Sequence, residues 1–168
     1  ELIVSGEGRT QLGTLDASPA PTWSSLWRQS VPDFKWETDI RSVLLAKIAL
    51  NAVINPLTAL HGVTNGELMR PPLEAITEDV IEEVQSVLCS ADASEIASAL
   101  PTQVRAVCHG TAANHSSMRV DLESGKRTEI DAIVGWLLSS FTSHPPATPI
   151  LSELYDAVKK REPEVLGA

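Results

Sequence analysis

Cysteine is nearly absent from this chain of 168 residues: only Cys89 and Cys108 occur, too few for a disulfide framework or a structural zinc site. Both read as reduced packing residues of a cytoplasmic protein. Basic residues are also scarce, 13 against 22 acidic ones, for a net charge of −9. A surface that acidic repels phosphate backbones, so nucleic acid is not an expected partner. A small anion is not excluded, because one local cation can outweigh a distant average. The opening residues carry no basic stretch leading into an apolar one, and no signal peptide is expected. The most apolar window, 43–60, contains Lys47, Asn51, Asn55 and Pro56, each costly in lipid. It reads as a buried helix of a soluble protein, not as a membrane span. Nucleophile elbow, phosphate loop, zinc spacing and paired catalytic carboxylates are all missing.

What is present suits one domain, or one and a piece, with 43% hydrophobic and 21% charged residues. The chain opens at Glu1 inside a strand-like run, Leu2-Ile3-Val4, and a second run follows over Thr10–Leu15. Gly6-Glu7-Gly8 supplies a turn, so a short β-hairpin is expected. A lone hairpin is marginal in water, and the rest of the sequence offers no sheet, so the chain is expected to be the C-terminal piece of something longer. The glycines do not make a dinucleotide loop, because Gln11 stands where the third glycine belongs. Residues 16–37 read as a connector, with Thr22 capping a short helix that presents Trp23, Leu26 and Trp27, and Phe34-Lys35-Trp36 as a further extended piece.

From Glu37 onward the apolar spacing is helical. A helix over 38–60 is apolar nearly all round and should be central, with a kink at Pro56. A second, 73–89, has a stripe of Leu73, Ile76, Val80, Val84, Val87 and Leu88, and Glu74, Glu78, Glu82 and Glu83 on a solvated face. A third region, 93–113, is interrupted by Pro101. Thr128 then caps the cleanest helix, with Asp131 in the position of a capping box and an apolar stripe from Ile130 to Phe141. The last helix starts at Thr148-Pro149 and ends in Lys159-Lys160-Arg161, suited to the negative end of its dipole.

Polar residues interrupt the central helix. Lys47, Asn51 and Asn55 are spaced by four and share one face, and Thr58 continues the row. An ammonium and two amides on a cleft could hold a small polar anion; a snorkelling lysine with two asparagines bonded to neighbouring backbone fits the spacing too. Asn65-Gly66-Glu67-Leu68 reads as a turn. Asn114-His115-Ser116-Ser117 reads as the end of the third helical region, and His115 has no second histidine placed to share a metal. Glu129 sits in the first turn of its helix, where the dipole alone favours an acid.

Taken together, Lys47-Ile48-Ala49-Leu50-Asn51-Ala52-Val53-Ile54-Asn55-Pro56 with Asn65-Gly66-Glu67-Leu68, then Ser116-Ser117-Met118, Asp121, Thr128-Glu129-Ile130-Asp131 and Gly135, resemble the ketopantoate reductase (2-dehydropantoate 2-reductase) family. The resemblance implies a mainly α fold, similar to the C-terminal domain of 6-phosphogluconate dehydrogenase, behind a short β-hairpin left from a Rossmann domain. Residues 1–37 would be terminal strands and connector of an NADP-binding domain, and 38–168 the helical substrate-binding domain. It implies an NADPH-dependent oxidoreductase of pantothenate biosynthesis in its complete form, with this piece alone inactive and NADPH bound mainly by the N-terminal domain. Lys47 matches the catalytic proton donor. Glu129 matches the glutamate that helps organise lysine, substrate and cofactor. Asn51, Asn55, Asn65, Asn114, His115, Ser116 and Ser117 match substrate-binding positions. Val134 departs from the asparagine that commonly precedes Gly135, and Pro145-Pro146 follow His144 where a glycine is usual. The expected partners are a small 2-keto acid and, through the helical domain, a second copy of the chain. The alternative is a helical interaction or dimerisation module that keeps the fold without the chemistry.

Overall fold

The computed structural model describes residues 8–140 and 146–163. Among them it is mainly α, as expected, with seven α-helices, a 3₁₀ turn, a π turn and two short strands. Two compact units divide at Lys47/Ile48, inside the longest helix.

In the first unit β1 (Thr10–Leu12) pairs in parallel with β2 (Phe34–Trp36), Thr10 opposite Phe34 and Leu12 opposite Trp36. The expected hairpin involves a first strand that is not among the described residues, and this parallel pair is a different contact. Leu2-Ile3-Val4, Gly6 and Glu7 lie outside the described residues, and within them Thr10–Leu12 finds its partner downstream. A parallel pair needs a crossover, and α1 (Ser24–Ser30) supplies it. Thr22 does not cap α1 with its side chain; Trp23 occupies the cap position, and the Thr22 carbonyl accepts the Ser25 hydroxyl at 2.8 Å. Trp23 meets Trp27 and Trp36 edge-on with ring centroids 5.9 Å apart, which lays α1 over β2. Gly13 follows β1 where a side chain would collide with the Glu37 carbonyl and with Ile40, the first residue of α2 (Ile40–His61).

In the second unit α2 is the core helix: every residue from Ala52 to Ala59 is buried. It is long and apolar enough to cross a membrane by length and composition, yet half of its most apolar window is buried within the fold. Pro56 lies inside the helix, which continues to His61. A 3₁₀ turn over Asn65–Met69 leads to α3 (Leu73–Ser90), which packs on α4 (Ser94–Gly110) and α7 (Pro149–Arg161). Val80, Ile81, Val84, Val87 and Leu88 of α3 are buried, as are Leu100, Val104 and Cys108 of α4. Contrary to expectation, α4 runs unbroken through Pro101. Proline cannot donate to the carbonyl four residues back, at Ala97, but Gln85 Nε2 of α3 donates to that oxygen at 2.8 Å.

Two further expectations fail because a distant residue takes the local one's place. Glu83 does not belong to a solvated face: its two oxygens accept the amides of Ile150 and Leu151 at 2.9 and 2.8 Å and cap α7, where Thr148 makes no side-chain cap. Asp131 is not the capping acid of the Thr128 helix, since it accepts the Tyr155 hydroxyl at 2.7 Å and Lys159 Nζ at 2.9 Å. That helix is also wound differently, as a π turn over Asp131–Gly135 running into α6 (Trp136–Ser140). Phe141, His144 and Pro145 lie outside the described residues. Finally, α5 (Ser117–Glu123) forms where only the closing of the third region is expected.

Candidate functional site

Along α2 the polar row sinks into the protein: Lys47 is exposed, Asn51 half-buried, Asn55 6% exposed and Thr58 fully buried. A buried hydroxyl needs partners, and Thr58 Oγ1 lies 2.8 Å from the Ile54 carbonyl, 3.0 Å from the Asn55 carbonyl and 2.7 Å from Ser116 Oγ. Ser116 is the N-cap of α5, its Oγ accepting the Arg119 amide at 3.1 Å. The Ser116 hydroxyl is therefore held inside the fold, tying α5 to α2. Ser117 and His115 beside it are exposed, and Asn114 is half-buried.

A second tie joins the same segment to the 3₁₀ turn. The Asn65 amide donates to the Asn114 carbonyl at 3.0 Å, and the Gly66 amide to the Ala112 carbonyl at 3.1 Å. Asn65 Nδ2 donates to Thr111 Oγ1 at 2.9 Å. Glycine is required here because a Cβ on Gly66 would stand 2.7 Å from that of Ala112. Thr64 and Glu67 form a capping box, with Glu67 Oε2 accepting the Thr64 amide and hydroxyl at 2.7 and 2.9 Å. The Thr64 amide bond, and then its hydroxyl, holds the Glu67 carboxyl below its ordinary pKa. Asn65 is 8% exposed, and its Oδ1 is buried without a hydrogen-bond partner among the described residues. Such an acceptor is costly unless a ligand or water donates to it.

Asn55, Asn65, Asn114 and Ser116 are thus linked through Thr58, Thr111 and backbone bonds. Thr58 was visible as the end of the polar row, but Thr111 gives no signal in the sequence. Among the described residues no hydrogen bond joins Glu129 to this cluster; it is exposed, and its carbonyl accepts the Ile133 amide at 3.0 Å. The residue before it is fixed by Glu162, the C-cap of α7, whose Oε1 accepts both the amide and the hydroxyl of Thr128 at 2.7 Å. Burial pushes the Glu162 carboxyl up, yet Lys159 and the Thr128 donors outweigh it and leave its pKa below the ordinary value. No group of three or more metal-ligating side chains occurs among the described residues. An apolar groove of about 320 Å³, lined by Leu57, Leu60, Ile76, Ile150 and Leu154, contains none of the expected site residues.

Residues 39–162 match the family model of the ketopantoate reductase PanE/ApbA C-terminal domain. The chain belongs to this family. It is similar to the 2-dehydropantoate 2-reductase of Vibrio cholerae, 36% identical over 160 residues that cover 94% of this chain and 54% of that protein. To the Escherichia coli O157:H7 2-dehydropantoate 2-reductase it is 40% identical over 134 residues, 80% of this chain and 44% of that protein. A PanE/ApbA family ketopantoate reductase crystal structure from Ralstonia eutropha JMP134 shares its fold at a TM-score of 0.76 and 24% identity, over 92% of this chain and 52% of that one. The chain spans about half the length of the curated relatives it matches. The matched span of this ketopantoate reductase domain contains every candidate residue from Lys47 to Glu129.

Proposed function

We propose that this chain is the substrate-binding and catalytic half of a cytoplasmic, NADPH-dependent 2-keto-acid reductase that converts 2-dehydropantoate to pantoate in pantothenate biosynthesis. The observation that carries the reading is the family match over 39–162, with the Lys47, Asn51, Asn55 row and the Ser116-Ser117 segment inside it. The geometry supports it in one place above all: Asn65 Oδ1 is a buried acceptor with no protein partner among the described residues, which suits a substrate hydroxyl.

The residues have distinct tasks in this reading. Asn51, Asn55 and Asn65 orient the keto acid through amide donors and acceptors, and Asn114, His115 and Ser117 bind its polar end. Ser116 contributes by holding that segment, since its hydroxyl is engaged with Thr58 and the Arg119 amide. Lys47 stabilises the oxygen of the C2 carbonyl as negative charge develops and then gives it a proton, the task for which an ammonium on a flexible stem is suited. Glu129, exposed at a helix start, offers its carboxylate as an acceptor for hydroxyls of the cofactor or the substrate. Of the cofactor set the described residues offer Glu129 but no phosphate-binding cradle. NADPH, when bound, supplies the hydride.

The test is kinetic. In the full-length protein containing these residues, Lys47→Ala should lower kcat for 2-dehydropantoate by at least about 100-fold, the lower end of the general-acid range. A Lys47→Ala protein with undiminished kcat would refute the reading and favour the non-catalytic module.

A further inference from the structure

The start of the Glu129 segment is held at two points by one helix. Before Glu129, Thr128 donates its amide and hydroxyl to Glu162 Oε1, both at 2.7 Å. After it, Asp131 accepts the Tyr155 hydroxyl at 2.7 Å and Lys159 Nζ at 2.9 Å. Lys159 also bonds Glu162 Oε2 at 2.8 Å, so the two anchors are one network on α7. The Glu162 side chain is only 5% exposed. Gly135 lets Tyr155 come in, because a Cβ there would stand 3.1 Å from the tyrosine ring. The turn that follows is π-wound, a rare departure from regular helix that is frequent at functional sites. Thr128 has no acid of its own in capping position, since Asp131 is turned to α7, and a carboxylate far along the chain takes that place.

We infer that Glu162 is a positioning residue for Glu129: through Thr128 it fixes the backbone that presents the Glu129 carboxylate. The inference rests on the proposed role of Glu129 in the reductase reaction. Glu162 touches neither substrate nor cofactor in this scheme; its oxygen sets where the neighbouring carboxylate points. Positional errors of about 1 Å in such groups cost on the order of 100-fold in rate.

Glu83 provides the matched control. It caps α7 in a comparable way, its two oxygens each accepting a backbone amide where one oxygen of Glu162 takes an amide and a hydroxyl, and it does so at the other end of that helix, with no hydrogen bond to residues 128–131 among the described residues. In the full-length protein, Glu162→Ala should lower kcat with 2-dehydropantoate and NADPH by about 10- to 100-fold. Glu162→Gln, whose amide oxygen still accepts from Thr128, should stay within about threefold of the parent. Glu83→Ala should lower the melting temperature as Glu162→Ala does while leaving kcat unchanged. Amide exchange over residues 128–133 should quicken at least about tenfold in Glu162→Ala and not in Glu83→Ala. Unchanged kcat or unchanged exchange in Glu162→Ala, or an equal loss of kcat in Glu83→Ala, would overturn the inference. If Glu129→Ala lowers kcat while Glu162→Ala does not, the inference alone fails. If Glu129→Ala retains full activity, the proposed role of Glu129 fails first and the positioning role with it.

Discussion

The contact between Thr58 and Ser116 is the tie that brings the Asn114–Ser117 segment to the core helix, and its strength can be measured. Thr58→Val keeps the shape of a fully buried side chain and deletes an oxygen 2.7 Å from Ser116 Oγ. The serine hydroxyl, itself 6% exposed, is left with the Arg119 amide alone. A buried polar group that loses a partner costs about 1–3 kcal/mol. At about 2–4 °C per kcal/mol for a chain of this size, a loss of about 2 kcal/mol lowers Tm by about 4–8 °C. Ser116→Ala removes the same contact and also the cap of α5, worth about 1 kcal/mol. Thr58 suffers less in that variant, because the Ile54 and Asn55 carbonyls remain at 2.8 and 3.0 Å. The double variant should therefore be more stable than the sum of the two losses allows, by about 1 kcal/mol. Urea unfolding followed by circular dichroism, with the slope unchanged, reads the coupling directly. Losses that add to within about 0.3 kcal/mol would show that the two hydroxyls do not interact in solution and that the tie is not real.

Three other outcomes follow from single features. Gly66→Ala should destabilise by about 1–3 kcal/mol, because its Cβ would stand 2.7 Å from that of Ala112 and 2.9 Å from the Ala112 oxygen, and a melt at parental temperature would refute the close approach. Gln85→Leu should cost about 1–3 kcal/mol by orphaning the Ala97 carbonyl, and adding Pro101→Ala should recover part of it by returning a backbone donor; no recovery would mean the glutamine serves another purpose. Cys108 is buried and its thiol is pushed up to about 11, whereas Cys89 is exposed, so an aromatic disulfide reagent at pH 8 should titrate one thiol in the native chain and two after unfolding. The same burial makes unfolding easier as pH rises from about 9 to about 11, where an unfolded Cys108 releases its proton and a folded one retains it.

Periodicity was a good guide wherever burial against neighbours decides the outcome. The all-apolar stretch of α2, the stripe of α3 and the basic end of α7 stand where the apolar and charged residues put them. Local capping rules were a poor guide, since Thr148 and Asp131 look like caps in sequence but Glu83 and Glu162 reach the same backbone groups from other helices. Pro101 misleads for a related reason: the rule that proline breaks a helix assumes that the freed carbonyl stays unpaired, and Gln85 removes that cost. The parallel pairing of Thr10–Leu12 with Phe34–Trp36 is a contact between segments far apart in sequence, which alternation within either strand does not encode. In the candidate site, the α2 row stands out because polar groups in an apolar helix call for partners, whereas Asn114–Ser117 reads from its residues as a helix end and gains a role only through the family resemblance. The Asn65–Thr111 and Thr58–Ser116 contacts that join them depend on which turns meet in space.

The two carboxylates that fasten α7 also bear on the order in which the chain assembles. Glu83 binds amides 67 and 68 positions downstream, so the front of α7 has no secure beginning until α3 exists to offer its side chain. At the far end, Glu162 fastens a residue 34 positions upstream. A helix of 13 residues is marginal on its own in water, and α7 carries no side-chain cap of its own at its front. Its docking closes long loops, and until it happens the stretch around Thr128 lacks the carboxylate that accepts the Thr128 amide and hydroxyl. During synthesis on the ribosome this stretch would leave the exit tunnel well before its clasp does.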